Sequence, residues 1–135
     1  MRWPAPEREV HVWLADPAPG RLEAVLGAYL GLPPGEVRLD HGPHGKPRLP
    51  GAALRFNLSH SGAHWMLAVA HGRDVGADVE EVRPRGDVRE LAEVGLPAAQ
   101  AARVAAAAPA RRPELFHRLW VRHEARLKCH GVGLT

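Results

Sequence analysis

Cysteine is almost absent: Cys129 stands alone among 135 residues, which rules out an intramolecular disulfide and a cysteine-rich zinc site. No apolar run is long enough to span a bilayer. The opening Met1-Arg2-Trp3-Pro4 lacks the basic-then-apolar layout of a signal peptide. Nine histidines are present, but they are scattered and show no paired metal-ligand spacing. The net charge is only +3, and aromatic and basic residues do not interleave, so a nucleic-acid partner is not expected. What remains is 45% hydrophobic and 24% charged, an ordinary globular balance at the length of one domain. A single cytoplasmic domain spanning 1–135, with no membrane partner, is the expectation.

Other scarcities are more instructive. Against sixteen arginines there are two lysines, Lys46 and Lys128, and isoleucine is missing. Asn57 is the one asparagine, and Ser59 and Ser61 are the two serines. A composition rich in Ala, Arg, Gly and Pro seldom contains these residues, so where they survive is informative. Asn57, Ser59 and Ser61 fall in one short run.

Alternation over Glu9–Leu14 predicts a strand, and apolar spacing over Arg21–Leu30 predicts a helix stopped by Gly31. Val37–Leu39 suggests a short strand. Leu54–Ser59, Trp65–Ala70 and Val75–Glu80 read as three more, with His71-Gly72-Arg73-Asp74 as the hairpin turn between the last two. Arg83-Pro84-Arg85-Gly86 reads as a loop. Helices are expected over Val88–Val94, Ala98–Ala108 and Pro113–His130, the last stopped by Gly131. Strands followed by helices imply an α+β fold.

On a strand, Asp78 and Glu80 would project from one face, close to Gly76, which permits close approach. Two hard oxygen ligands so placed suit Mg²⁺ sharing its shell with a phosphate; a solvent-facing strand edge would look the same. Trp120, Glu124 and Lys128 follow at i, i+4 and i+8 on the last helix. That spacing fits either a plain surface pair or a charged stripe facing protein, and the rarity of lysine favours the second. Ser59 and His60 are adjacent, so on a strand they point to opposite faces and make no nucleophile–base dyad. As separate donors they suit a phosphate, whereas a capped turn is the plainer reading. Gly45-Lys46-Pro47 is a turn and not a P-loop, lacking the upstream glycine and the following Ser or Thr.

In order, the chain carries Gly45-Lys46-Pro47, Phe56-Asn57-Leu58-Ser59-His60-Ser61, Val75-Gly76-Ala77-Asp78-Val79-Glu80, and Trp120-Val121-Arg122-His123-Glu124-Ala125 with Lys128. This series resembles the 4′-phosphopantetheinyl transferase superfamily, in its surfactin-type branch, from about Arg21 to Leu134. The resemblance implies antiparallel or mixed strands packed on helices, in two pseudo-two-fold halves, both shortened here: about 1–80, and a partial second half of about 81–135. It implies transfer of the phosphopantetheine arm of coenzyme A to a serine of an acyl or peptidyl carrier protein, releasing adenosine 3′,5′-bisphosphate. Under it Asp78, Glu80 and Glu124 would hold Mg²⁺. Glu124 would also accept the serine proton, and Lys128 would offset charge on the leaving group. Lys46, Ser59 and His60 would bind coenzyme A.

The chain departs from the family pattern in four places. His123 stands where the motif has lysine. Gly95-Leu96-Pro97-Ala98-Ala99-Gln100 replaces a stretch of aromatics, serine and glutamate. An arginine-rich segment is missing between about Gly20 and Glu23, and the sequence stops soon after Gly131-Val132-Gly133-Leu134. The alternative is a non-catalytic or incomplete relative that retains a coenzyme A or carrier-protein binding surface.

Overall fold

The structure is a computed structural model that describes residues 3, 4, 6–43, 45–82 and 86–130. Strand β1 (His11–Ala15) leads into helix α1 (Arg21–Leu30), which ends at Gly31 as its apolar spacing requires. Two short strands follow, β2 (Asp40–His41) and β3 (Pro47–Arg48), and then a long hairpin of β4 (Leu54–Ser61) and β5 (His64–His71). Three helices complete the described chain: α2 (Val88–Gly95), α3 (Ala98–Ala106) and α4 (Arg112–Cys129). The fold is mixed α+β with antiparallel strands. Among the described residues no helix is long and apolar enough to cross a membrane.

The main sheet has the order β1-β5-β4, both pairings antiparallel. β4 and β5 are joined through Gly62 and Ala63, and Gly62 takes φ 58°. This is the first central position of the turn, where a two-residue hairpin with one positive φ takes glycine. One face of the sheet packs on α1. Leu26, Tyr29, Phe56, Trp65, Leu67 and Val69 form that core, with Leu26 and Leu67 fully buried. Removing such side chains from water contributes roughly 1.5–3 kcal/mol each. A second cluster, including Val88, Ala92, Val104, Phe116 and Leu119, holds the helices together.

The other face of the sheet carries a segment that the sequence predicts as a strand, Val75–Glu80. It is extended but joins no strand ladder. Its alternate amides go instead to side chains of β4. Ala77 N donates to Asn57 Oδ1 at 2.8 Å, Val79 N to Ser59 Oγ at 3.1 Å, and Glu81 N to Ser61 Oγ at 3.0 Å. Residues two apart on a strand share a face, so Asn57, Ser59 and Ser61 form a row of acceptors matched to the amide repeat of the segment beside them. This accounts for their clustering in a sequence otherwise nearly free of them. The residues 71–74 therefore turn the chain onto the sheet face; they do not close a second hairpin.

Small side chains let the segment lie close. Ala68 and Ala70 of β5 pack against Val75 and Ala77. On its far side runs α4, so near that a Cβ on Gly76 would collide with the Ala125 carbonyl and the Cys129 amide. The segment is clamped between sheet and helix. Replacing Asn57 with Ala would leave the Ala77 N–H buried without an acceptor, costing about 1–3 kcal/mol. Denaturant unfolding of Asn57→Ala should show that loss, with faster amide exchange centred on Ala77. An unchanged midpoint would show that the ladder contributes nothing.

Two further expectations need correction. Val37–Leu39 forms no strand: Pro33 and Pro34 set up a single 3₁₀ turn over Pro34–Glu36, and pairing starts only at Asp40 opposite Arg48. The helix expected to end at Ala108 stops at Ala106. Gly131 and Gly131-Val132-Gly133-Leu134 lie outside the described residues, as does most of the loop Arg83-Pro84-Arg85-Gly86.

Candidate active site

The clamped segment fixes Asp78 between the sheet and α4, with only 9% of its side chain exposed. Ser59 Oγ, already accepting from Val79 N, donates to Asp78 Oδ1 at 3.4 Å. From α4, Lys128 places Nζ 3.9 Å from the same oxygen and donates to the Leu58 carbonyl at 3.4 Å. Glu124, one turn earlier, is buried. Two carboxylate oxygens, Asp78 Oδ2 and Glu124 Oε1, are buried without a hydrogen-bond partner.

Burial pushes the Asp78 carboxyl up to about 7; repulsion from Glu80 adds to the shift, and the Lys128 charge opposes it. Lys128 is itself lowered, chiefly by burial, against the pull of Asp78, Glu124 and Glu80. Glu80, Glu124 and Lys128 thus act on Asp78, and the three carboxylates on Lys128, through their charges. Because the folded pKa of Asp78 lies above its unfolded value, folding is weakened as pH rises from about 4 to about 7, and the full penalty remains above that range. Without divalent cations, Asp78→Asn should therefore raise the melting temperature at pH 8 and flatten its fall between pH 4 and 7. Equal pH profiles for parent and variant would contradict this electrostatic picture.

Among the described residues no three His, Cys, Asp or Glu side chains enclose a metal position by themselves. Two orphaned carboxylate oxygens nonetheless fit a cation in their donor chemistry. Mg²⁺ in particular is seldom caged by protein alone and takes further oxygens from phosphate and water.

The other residues singled out by the sequence are placed less uniformly. Lys46 Nζ donates to the Val75 carbonyl at 3.0 Å, at the start of the clamped segment. It also lines a cavity of about 780 Å³, together with Leu49, Arg55, Phe56, Cys129 and His130 among others. None of the acidic residues 78, 80 and 124 lines that cavity; Lys46 lines it and bonds the backbone of the segment that carries Asp78 and Glu80. A volume of this order suits a nucleotide-sized ligand. His60 is exposed and adjacent in sequence to buried Ser59. It therefore points to the opposite face of β4, away from Asp78.

The stripe Trp120, Glu124 and Lys128 also divides. Four residues overshoot a 3.6-residue turn by about 40°, and two such steps by about 80°. Trp120 accordingly turns towards the helical core, stacking on Phe116 at 6.0 Å between ring centroids, while Lys128 reaches β4. Sequence reasoning missed the ladder role of Asn57, for which the alternate spacing with Ser59 and Ser61 was the available signal. It also missed Arg55, which is paired with Asp74 at 2.6 Å beside the cavity and has no distinguishing pattern in the sequence.

Residues 74–135 match the family model of the 4′-phosphopantetheinyl transferase superfamily. The chain is 35% identical over 120 residues to 4′-phosphopantetheinyl transferase HetI of Nostoc sp. (strain PCC 7120), covering 86% of this chain and 51% of that protein. It is 39% identical over 92 residues to 4′-phosphopantetheinyl transferase AcpT of Escherichia coli (strain K12), covering 67% and 47%. A 4′-phosphopantetheinyl transferase of Bacillus subtilis is 29% identical over 113 residues, covering 83% and 49%. The chain thus spans about half the length of the curated relatives it matches. The matched segment holds Asp78, Glu80, Glu124 and Lys128, so the similarity to the 4′-phosphopantetheinyl transferase superfamily includes the stretch that carries the candidate site.

Proposed function

We propose that the chain transfers the phosphopantetheine arm of coenzyme A to a serine of an acyl or peptidyl carrier protein in the cytoplasm, releasing adenosine 3′,5′-bisphosphate. The observation that carries this reading is the pair of buried, unpartnered carboxylate oxygens on Asp78 and Glu124 beside Lys128. Buried charge without a partner is costly, and a site that receives both a cation and a phosphate removes that cost. Asp78, Glu80 and Glu124 would hold Mg²⁺, which when bound supplies charge neutralisation at the reacting phosphoryl group.

The remaining roles belong to the chain's own side chains. Glu124 accepts the proton of the carrier serine as its oxygen attacks phosphorus, directly or through water. Lys128, a compact charge held by the Leu58 carbonyl, offsets the negative charge that builds on the departing bisphosphate. Lys46 stands at the edge of the cavity and orients the nucleotide end of coenzyme A. Ser59 acts on the coenzyme A site through Asp78, which it holds in place. Two pseudo-two-fold halves, divided at about residue 80, and the surfactin-type branch belong to the same reading, supported by the order of the motifs.

The test is direct. Purified protein, an apo carrier, coenzyme A and Mg²⁺ are incubated, and the carrier is weighed by mass spectrometry. A mass gain equal to one phosphopantetheine supports the transferase. Coenzyme A binding with no mass gain on any carrier tried would instead identify a non-catalytic relative.

A further inference from the structure

We propose that β1 pairs edge to edge with β1 of a second copy of the chain, antiparallel and centred on Val12, joining the two main sheets into one. The pairing rests on the fold alone and not on the transferase reading. β1 is an outer strand: it pairs with β5 on one side, and among the described residues no strand pairs with the other. A bare strand edge offers a row of backbone donors and acceptors to another chain, and natural edges are blunted by charge, proline, a bulge or a covering segment. From Val10 to Ala15 the chain carries no Lys, Arg, Asp, Glu or Pro, and its register with β5 runs without a bulge. The face of β1 is bare as well. Val12 stands opposite Ala68 and Leu14 opposite Met66, so both lie on the sheet face that carries the clamped segment. Ala68 packs against that segment. Val12 and Leu14, one strand further out, are 56% and 70% exposed, and Val10 is 47% exposed.

A second copy fits this strip because the strip is complementary to itself. With Val12 opposite Val12 of the second copy, Val10 falls opposite Leu14. Arg8, just before the strand, then comes beside Asp16, just after it, and symmetry repeats each of these pairs. Arg8 and Asp16 are both exposed, and among the described residues neither makes an ion pair. Glu9 is already paired with His11 at 3.1 Å and falls opposite Ala15. Apolar side chains therefore meet apolar ones at the centre, with opposite charges at both ends. A two-fold pairing of this kind uses up both β1 edges, so it closes at a dimer. Opposed residues of antiparallel strands share a face, so both clamped segments stand on one side of the joined sheet. The two apolar rows form the floor between them.

Sedimentation of the purified chain from about 1 to about 100 µM tests the pairing. A dimer that dissociates on dilution is expected, because one short strand buries less than the roughly 800 Å² per partner of a standard interface. Val12→Lys sets two like charges across the two-fold axis and should weaken the dimer by about tenfold or more. Its melting temperature, taken at a dilution where the parent is monomeric, should match the parent, since the side chain at position 12 is more than half exposed. Asp16→Arg should also weaken the dimer by bringing two arginines together, and adding Arg8→Asp to it should restore the pairing. Should Val12→Lys fail to fold, this charge exchange decides by itself. A parent that sediments as a monomer throughout, a dimer that survives Val12→Lys, or an exchange that restores nothing overturns the assignment.

Discussion

Glu124→Gln should lower carrier modification by roughly 10²-fold or more, the scale of a lost general base, without lowering the melting temperature. Glu124 is 6% exposed and its Oε1 lacks a hydrogen-bond partner. A buried carboxylate oxygen without a partner is a ready acceptor for a cation or a proton. Glutamine keeps the shape and one carbonyl oxygen but cannot take the serine proton and binds a cation poorly. The same change lowers the pKa of Lys128 further, because Glu124 is one of the charges that hold it up. If Glu124→Gln modifies carrier at the parental rate, Glu124 has no role in proton transfer. If it instead melts well below the parent, Glu124 serves the fold.

The largest effect on stability should come from Gly76→Ala. The new methyl would meet the Ala125 carbonyl and the Cys129 amide. Both belong to the backbone of α4, so no side-chain rotation relieves the contact. Either α4 or the clamped segment must move. Overpacking of this kind costs about 1–3 kcal/mol or more. Here the displacement would also stretch the bonds from Asn57, Ser59 and Ser61 and draw Asp78 away from Lys128. Transferase activity should therefore fall along with the melting temperature. Gly35→Ala is the control: an added methyl there has nothing within 4 Å, and it should be silent in both measurements. A parental melting temperature and activity for Gly76→Ala would show that α4 does not press on the segment.

Much of the fold is legible from local pattern alone. Helix α1 runs over Arg21–Leu30, as its apolar spacing and Gly31 indicate, and α4 lies within one residue of the expected span. The hairpin strands extend only slightly beyond the expected stretches Leu54–Ser59 and Trp65–Ala70. These features depend on residues a few positions apart, whose relative directions are set by the helix or strand repeat itself. The candidate site was legible in its parts for the same reason: rare residues and paired carboxylates stand out without any knowledge of their neighbours.

How the parts combine was decided by tertiary contact. The extended pattern of Val75–Glu80 looks the same whether its amides meet a backbone ladder or, as here, the side chains of residues twenty positions earlier. The neighbour decides which. The shared burial of Asp78 and Glu124, and the reach of Lys128 to Leu58 seventy positions away, depend on α4 lying against that segment at Gly76. The sequence by itself therefore determined the elements and the inventory of reactive groups. Which charges are stripped of water together, and which face of β4 each donor serves, became definite only when distant segments packed, because burial and electrostatic coupling belong to pairs of elements and to neither one alone.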